Sequence, residues 1–268
     1  MNPSPYMFYL ELNDFQVVGA SPECLLSVDR HRRVCNHPIA GTRPRGKTHE
    51  QDLALEKDLL SDPKELAEHL MLVDLGRNDV NRVGEPHSSK VDKLMSIERY
   101  SHVMHIVSQV SATLRDECSN FDAFRSIFPA GTVSGAPKIR AMQLVSKLET
   151  HKRLLYAGAV GYVSYNQNIL DTCIAIRTML YKDGVAYFQA GGGIVFDSVE
   201  RLEYEESMHK MNALARSVDL AEEQLRSADH SSSPIQVPVA AMTSDAHPTL
   251  SFQLTSSSSS SSSSSFVG

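Results

Sequence analysis

Acidic side chains recur at helical spacing in two segments of the chain. Glu203, Glu206 and Lys210 lie at i, i+3 and i+7, so a helix would present them on one face. Glu65 and Glu68 share one turn of a second segment, KELAEHLMLVD, whose capped start predicts a helix. Carboxylates from two helices that meet in the fold would suit Mg²⁺, which prefers oxygen ligands. The alternative is a solvent-exposed face stabilised by ion pairs.

Three glycine-rich turns lie beside polar residues, at 38–46, 128–138 and 189–198. Glycine lets the backbone present its N–H groups to an anion, and the second turn leads into a helix start, where anions bind well. Each turn alone is typical of a tight connection. Together they favour a small polyanionic ligand, with four basic residues near the turns to balance its charge: Arg43, Arg45, Lys138 and Arg177.

The segment GTRPRGKT at 41–48 matches the phosphate-loop pattern, and Asp74 ends a later apolar run as a Walker B aspartate would. A nucleoside triphosphatase is therefore an alternative. The context disfavours it, because a phosphate loop follows a buried strand, whereas the residues before this one are polar and interrupted by Pro38. Pro44 would also stiffen a loop that must wrap around phosphates.

Two histidines, His102 and His105, occur in the segment ERYSHVMHIV. Their apolar neighbours are typical of buried structural histidines, and a pairing of Glu98 with His102 at i+4 fits that interpretation. The sequence contains no HExxH zinc motif.

The hydrophobic pattern predicts an α+β fold. Alternating apolar and β-branched residues predict strands at 6–12, 15–20, 24–29, 157–165, 172–180 and 184–190. Short turns join the first two and the last two of these strands, which predicts two antiparallel hairpins. Capped or amphipathic patterns predict helices after Pro63, after Pro137 and over 201–225.

The composition excludes several functional classes. The 268-residue chain has a net charge of −6 and no apolar run long enough for a membrane helix, so it is expected to bind neither nucleic acid nor a membrane. Its four scattered cysteines form no CxxC pair, which is typical of reduced thiols in a cytoplasmic protein. Residues 1–226 are predicted to form the folded domain, and the Ser- and Pro-rich segment 227–268 a disordered tail.

A series of motifs occurs along the chain in this order: NPSPYMFYL, GASPE, PIAGTRPRG, EHLMLVDLGRNDVNRVG, ERYSHVMH, FPAGTVSGAPKIRAM, YAGAVGY, DTCIAIRT and QAGGGIVFDS. Together they resemble the chorismate-utilising enzymes, from Asn2 to about Leu214. The resemblance implies an α+β fold in which two β-sheets stack as a sandwich with helices outside. Within the family, the motifs are most similar to the large, aminating subunits that form anthranilate in tryptophan biosynthesis.

The resemblance implies amination of chorismate at C2 with loss of the C4 hydroxyl, followed by elimination of pyruvate. It also implies Mg²⁺ as the cofactor, held by Glu68 and Glu206. Glu23 matches the acid that assists departure of the hydroxyl, and His105 matches a histidine associated with the elimination, which replaces its interpretation as a structural residue. The other matched residues are substrate contacts: Gly41, Thr42, Thr132, Tyr156, Arg177, Gly191, Gly192, Gly193 and Lys210.

Ala40 distinguishes between relatives that use chorismate differently. Members that form isochorismate, or that aminate at C4, resemble one another in having a lysine here, which acts as a base or nucleophile toward C2. Alanine leaves C2 open to ammonia, as anthranilate formation requires. A relative that forms 4-amino-4-deoxychorismate is the alternative.

Family members carry an N-terminal half that completes the sandwich, and this chain is expected to lack it. An organellar targeting sequence in the missing part is therefore an alternative to a cytoplasmic location. Pro5, Tyr6 and Met7 match part of a tryptophan feedback site. Because the sequence has no glutaminase signature, ammonia would come from a separate glutamine amidotransferase subunit in a hetero-oligomer. A truncated, inactive chorismate-binding fragment is the alternative.

Overall fold

The computed structural model describes residues 4–100, 102–165, 168–228 and 249–253. The strands within these ranges are β1 (Tyr6–Glu11), β2 (Gln16–Ser21), β3 (Cys24–Val28), β4 (Arg33–Asn36), β5 (Ile39–Pro44), β6 (Lys90–Arg99), β7 (Val103–Thr113), β8 (Ala159–Val163), β9 (Leu170–Ile174), β10 (Thr178–Lys182), β11 (Val185–Gln189) and β12 (Thr249–Gln253). The helices are α1 (His49–Ser61), α2 (Pro63–Asn81), α3 (Asn120–Ile127), α4 (Gly131–Ser134), α5 (Lys138–Leu148) and α6 (Glu200–Ala228).

The strands form two antiparallel sheets, which confirms the predicted α+β class. The first sheet has the order β1-β2-β10-β11-β12, and it contains both predicted hairpins, β1 with β2 and β10 with β11. The second has the order β5-β7-β4-β3-β9-β8, with β6 also paired to β7. The sheets meet where the Tyr6 hydroxyl of β1 donates to Asp171 Oδ1 of β9, at 3.0 Å.

Side-chain caps define where the helices begin. Thr48 caps α1, and Asp62 accepts hydrogen bonds from two backbone N–H groups at the start of α2, where Pro63 supplies the first helical residue. Ser119 and Asp122 form a reciprocal capping box at α3. Of these helices, α2 packs along β7 and β5 of the second sheet. The acidic residues of α2 are therefore held beside the strand that carries His105.

The largest hydrophobic core lies between the second sheet and the helices that cover it. Buried side chains from β3, β4, β7 and β9 pack there, and they include Leu26, Val34, Val110 and Leu170. They contact buried residues of α2 and α3, among them Ile127 of α3. A smaller cluster around Phe188 and Met211 holds α6 against β11. Burial of these apolar side chains holds α2 and α3 against the second sheet and α6 against the first.

The predicted strand at 172–180 is wrong, because two strands in different sheets replace it. The chain leaves the second sheet after Ile174 and enters the first at Thr178, with Arg177 at φ 50° between them. The apolar run at the end of β9 continues to Ile176 in this connection, so the pattern alone carried no sign of the break.

The pairing of Glu98 with His102 at helical spacing is also wrong. Glu98 lies near the end of β6, opposite His105 of β7, and its carboxylate accepts from Lys93 Nζ at 3.2 Å. Both strands were missed, and so were β4, β5 and the helices α1 and α3. The bulges in β6 shift the alternation of its side chains, which hides the period of two that marks a strand.

The predicted tail at 227–268 differs from the structure at two points. The helix α6 continues to Ala228, and β12 pairs along β11, whose backbone groups would otherwise form a free sheet edge. The rest of the predicted tail lies outside the described residues. Among the described helices, none has the length and apolar character needed to cross a membrane. All four cysteines are free.

Candidate functional site

The chain crosses from one sheet to the other at two neighbouring points, and a predicted site residue lies at each. Glu23 lies between β2 and β3, and Arg177 lies between β9 and β10. Backbone hydrogen bonds join the crossings, because Ala20 N donates to Arg177 O and Ile174 N donates to Glu23 O, each at 3.1 Å. The fold therefore holds a carboxyl group and a guanidinium group on adjacent connections.

Glu23 has the properties of a proton donor. Its side chain is only 6% exposed, and Oε1 accepts a hydrogen bond from Thr132 Oγ1 of α4 at 2.6 Å. Burial raises the pKa of Glu23 to about 7, against the Thr132 hydrogen bond and the positive charges of Arg177 and Lys210, which lower it. The carboxyl group can therefore hold a proton near neutral pH and release it to a substrate.

Arg177 carries a positive charge that the protein does not neutralise at close range. In the described part of the chain, no carboxylate lies within 4 Å of its guanidinium group. Burial lowers the pKa of Arg177, while the charge of Glu23 opposes that shift, and an arginine remains protonated throughout. Tyr156 lies nearby with a pKa raised by burial, so its hydroxyl stays a neutral donor. Arg177 and Tyr156 together can bind a carboxylate.

His105 is held in one tautomer by a bulge in the neighbouring strand. The pairing of β5 with β7 shifts between Ala40 and Thr42, and Gly41 takes up the extra residue at φ +71°. Gly41 O lies 3.0 Å from His105 Nδ1, and Thr42 Oγ1 lies 3.1 Å from it. A carbonyl oxygen only accepts, so Nδ1 carries the proton and Nε2 keeps its lone pair. Burial lowers the pKa of His105, which keeps the ring neutral.

The third glycine turn joins the two halves of the site. A Cβ atom on Gly191 would lie 3.1 Å from the Tyr156 hydroxyl, and one on Gly193 would lie 2.8 Å from Glu68 Oε1. Gly192 faces Glu203 and Ser207 of α6 in the same way. Side chains here would fill the space between the turn and these polar groups, so glycine keeps the backbone accessible to a ligand.

The carboxylates of α2 and α6 meet across the site. Burial raises the pKa of Glu68, and the charges of Glu206 and Glu203 raise it further against that of Lys64. Lys64 Nζ pairs with Glu203 at 2.7 Å, and Lys210 Nζ pairs with Glu206 while also donating to Gly191 O at 3.3 Å. Within the described residues, Glu68 has no ion-pair partner of its own. The carboxylate oxygens could bind a divalent cation, and the bound cation would reduce the repulsion between the carboxylates.

Three of the four basic residues predicted to bind an anion are held by carboxylates of the fold: Arg43 by Asp58 and Asp62, Arg45 by Asp52, and Lys138 by Asp79. That prediction is wrong for these three, because sequence spacing does not show which charges are already paired. Arg177 alone keeps its charge for a ligand.

The phosphate-loop pattern does not form an anion site. Gly46 N donates to Asp52 Oδ1 at 2.8 Å, so the protein's own carboxylate occupies the place a phosphate oxygen would take. Asp74, the candidate Walker B aspartate, lies within α2 and not at a strand end.

The predicted feedback residues lie at the start of β1 and in the turn before it. The Tyr6 hydroxyl donates a hydrogen bond to Asp171, and Met7 is 72% exposed. Pro5 precedes the strand. The structure therefore groups Glu23, Thr132, Tyr156, Arg177 and the glycine turn.

Two supporting residues were missed by the sequence analysis. Arg153 donates to Val133 O at 2.5 Å, lies 5.7 Å over the Tyr156 ring and pairs with Glu149, so it joins the Thr132 and Tyr156 segments. Lys64 balances the charge of Glu203 from one turn before Glu68. The i, i+4 spacing of Lys64 with Glu68 was a usable signal for this residue.

Comparison with known proteins places the chain in a family. Residues 1–216 match the family model described as chorismate binding enzyme, which confirms the resemblance seen in the motifs. The chain is 59% identical over 223 residues to anthranilate synthase component 1 of Saccharomyces cerevisiae, covering 83% of this chain and 44% of that protein. It is 58% identical over 232 residues to a probable anthranilate synthase component 1 of Schizosaccharomyces pombe, covering 87% of this chain and 47% of that protein.

A solved structure is also similar. The crystal structure of anthranilate synthase component I from Streptococcus pneumoniae superimposes with a TM-score of 0.73 at 49% identity, over 80% of this chain and 46% of that one. The chain thus spans about half the length of the curated relatives it matches. The motifs, the two sheets and these comparisons agree, and the chain belongs to the chorismate binding enzyme family.

Proposed function

We propose that this chain is the catalytic portion of an anthranilate synthase large subunit, which converts chorismate and ammonia to anthranilate and pyruvate. Relatives at 52–59% identity carry the name anthranilate synthase component 1. The strongest structural support is Glu23, a buried acid that can be protonated near neutral pH, beside the unpaired charge of Arg177.

The site suits a dianionic ligand such as chorismate, which carries two carboxylates. Arg177 and the Tyr156 hydroxyl bind one carboxylate, assisted by backbone N–H groups of the turn at 191–193. Lys210, which pairs with Glu206 and also reaches Gly191 O, lies at the same turn. Gly41 and Thr42 line the opposite side, next to His105.

Glu23 donates its proton to the C4 hydroxyl, so that the C–O bond breaks with loss of water and not of hydroxide. Thr132 holds the carboxyl group in place through its 2.6 Å hydrogen bond. The C–N bond to ammonia forms at C2, and the positively charged nitrogen then loses one proton. In the second stage, Nε2 of His105 accepts the proton lost from ring C2 while the ring C–O bond to the enolpyruvyl group breaks. The departing enolpyruvate takes up one proton and becomes pyruvate.

Ala40 accounts for the choice of nucleophile. It is 8% exposed and immediately precedes the Gly41 bulge in β5. With a methyl group at this position the protein supplies no nucleophile of its own toward C2, so ammonia can attack there.

The carboxylates of Glu68 and Glu206 fit the Mg²⁺ that the family resemblance implies. They are oxygen donors from two facing helices, and Glu68 lacks a cationic partner among the described residues. When bound, Mg²⁺ would neutralise the ring carboxylate of chorismate and orient the ring. Glu68 and Glu206 would hold the ion, and Lys64 pairs with the neighbouring Glu203.

The proposal includes a partner and a regulator. Relatives are named as component 1, which fits ammonia supply by a separate glutamine amidotransferase subunit in a hetero-oligomer. Tryptophan as feedback inhibitor at Pro5, Tyr6 and Met7 stays a prediction, as does the cytoplasmic location.

The reaction can be tested on the purified chain. With chorismate, Mg²⁺ and ammonium we expect anthranilate fluorescence, and chelation of Mg²⁺ should abolish it because the carboxylates then repel the substrate. Formation of isochorismate or 4-amino-4-deoxychorismate, identified by chromatography, would contradict the proposed activity.

Replacement of Ala40 by lysine tests the assigned role of this position. The Ala40→Lys variant should lose most anthranilate formation, because the amine would occupy the space used by ammonia. Ala40→Ser, which adds a small neutral group, serves as the matched control and should retain more activity. An unchanged rate in Ala40→Lys would remove Ala40 from the mechanism.

The pH dependence of kcat/KM should reveal Glu23 and His105. Glu23 must be protonated, so the rate should fall as pH rises through about 7. His105 must be neutral, so the rate should also fall at acidic pH, below its lowered pKa. Glu23→Gln should reduce the rate by about 10²–10⁴-fold and abolish the alkaline limb. The exposed Glu117→Gln is the control, and an alkaline limb that survives in Glu23→Gln would refute the role of Glu23.

A further inference from the structure

A small cavity lies beside Glu23, on the side bounded by α2. It offers about 20 Å³ of room for a water-sized molecule, which is enough for one water. Its polar lining consists of Glu23, Asn36, Asp79 and Thr132, and the rest of the lining is apolar, with side chains of α2 and α3 among its members. No step of the proposed reaction uses this space.

The polar lining presents hydrogen-bond acceptors. Glu23 and Asp79 are 6% and 4% exposed, so both carboxyl groups are removed from bulk solvent. Asn36 Nδ2 donates to Leu25 O at 2.8 Å, which turns Oδ1 toward α2. A Cβ atom on Gly76 would lie 2.7 Å from this oxygen. Among the described residues, none donates to Asn36 Oδ1 or to the second carboxyl oxygen of Glu23.

A buried ion pair continues from the cavity toward the surface. Lys138 Nζ donates to Asp79 Oδ2 at 2.6 Å and to Ile127 O at 2.5 Å. The Lys138 side chain is 14% exposed, at the start of α5. Asp79 therefore has one side toward the cavity and the other toward a residue that reaches solvent.

We propose that the cavity binds one water molecule, which links Asn36 Oδ1, Asp79 and the Glu23 carboxyl group by hydrogen bonds. Through this water Glu23 regains its proton after each turnover. This role of the water rests on the proposed function, in which Glu23 gives a proton to the departing hydroxyl.

The proton balance closes without a further reactant. Each turnover removes one proton from Glu23 to form water from the C4 hydroxyl, and the nitrogen bonded to C2 releases one proton to solvent. One proton returns from solvent to Lys138, which passes its own proton to Asp79. Asp79 then gives a proton to the cavity water as that water gives one to Glu23. This path leaves the opposite side of the carboxyl group to the substrate.

A crystal structure of the 268-residue chain, at a resolution that reveals ordered water, tests the binding site directly. We expect a water within hydrogen-bond distance of Asn36 Oδ1 and of the Glu23 or Asp79 carboxyl group. A dry cavity would overturn the inference. This result does not depend on whether the chain forms anthranilate, so a failure of the proposed function is seen separately.

Two variants at Asn36 test the role of the water. Asn36→Leu and Asn36→Asp both lose the hydrogen bond to Leu25 O, but only Asn36→Asp keeps an acceptor toward the cavity. We expect Asn36→Leu to lose the water and to lower kcat about tenfold, with KM for chorismate unchanged and a larger solvent isotope effect on kcat. Asn36→Asp should retain the water and most of kcat. Equal kcat values in the two variants would overturn the relay.

Discussion

The architecture of the site depends on the hydrogen-bonded pair of crossings between the two sheets. Glu23 and Arg177 are not carried by strands; they occupy the short connections where the chain leaves one sheet for the other. Two backbone hydrogen bonds hold these connections together, and Ser21 Oγ adds a third to Ile174 O at 2.6 Å. Because both ends of each connection are anchored in sheets, the side chains of Glu23 and Arg177 are held in fixed positions without a hydrogen bond between them.

Charge balance explains why the surrounding residues are arranged as they are. Burial raises the pKa of Glu23 to about 7, although the charges of Arg177 and Lys210 lower it. Across the site, Lys64 and Lys210 each neutralise one carboxylate of α6, which leaves Glu68 to face that helix without a cation. Among the described residues, Arg177 and Glu68 are thus both without an ion-pair partner. This combination suits a ligand that brings carboxylates together with a divalent cation.

Motif residues were predictable from the sequence where a residue type is required by its local chemistry. Gly41 is needed for the positive φ angle of the bulge in β5, and Asp62 followed by Pro63 predicts the start of α2. The pairing of charges was not predictable, because Arg43, Arg45 and Lys138 find carboxylates that only the fold brings near. The sheet change near Arg177 was hidden for a related reason, since hydrophobic alternation reports burial and not which sheet buries a residue. The tautomer of His105 was not predictable from the sequence either, because it depends on a hydrogen bond to the Gly41 carbonyl of another strand.

The most direct test of this account is calorimetric titration of the chain with chorismate in the presence and absence of Mg²⁺. The arrangement of Glu68 and Glu206 opposite Arg177 predicts clear binding with Mg²⁺ and a large loss of affinity when the ion is chelated, since the carboxylates would then face an anionic substrate. Equal affinity under both conditions, or no binding in either, would contradict it.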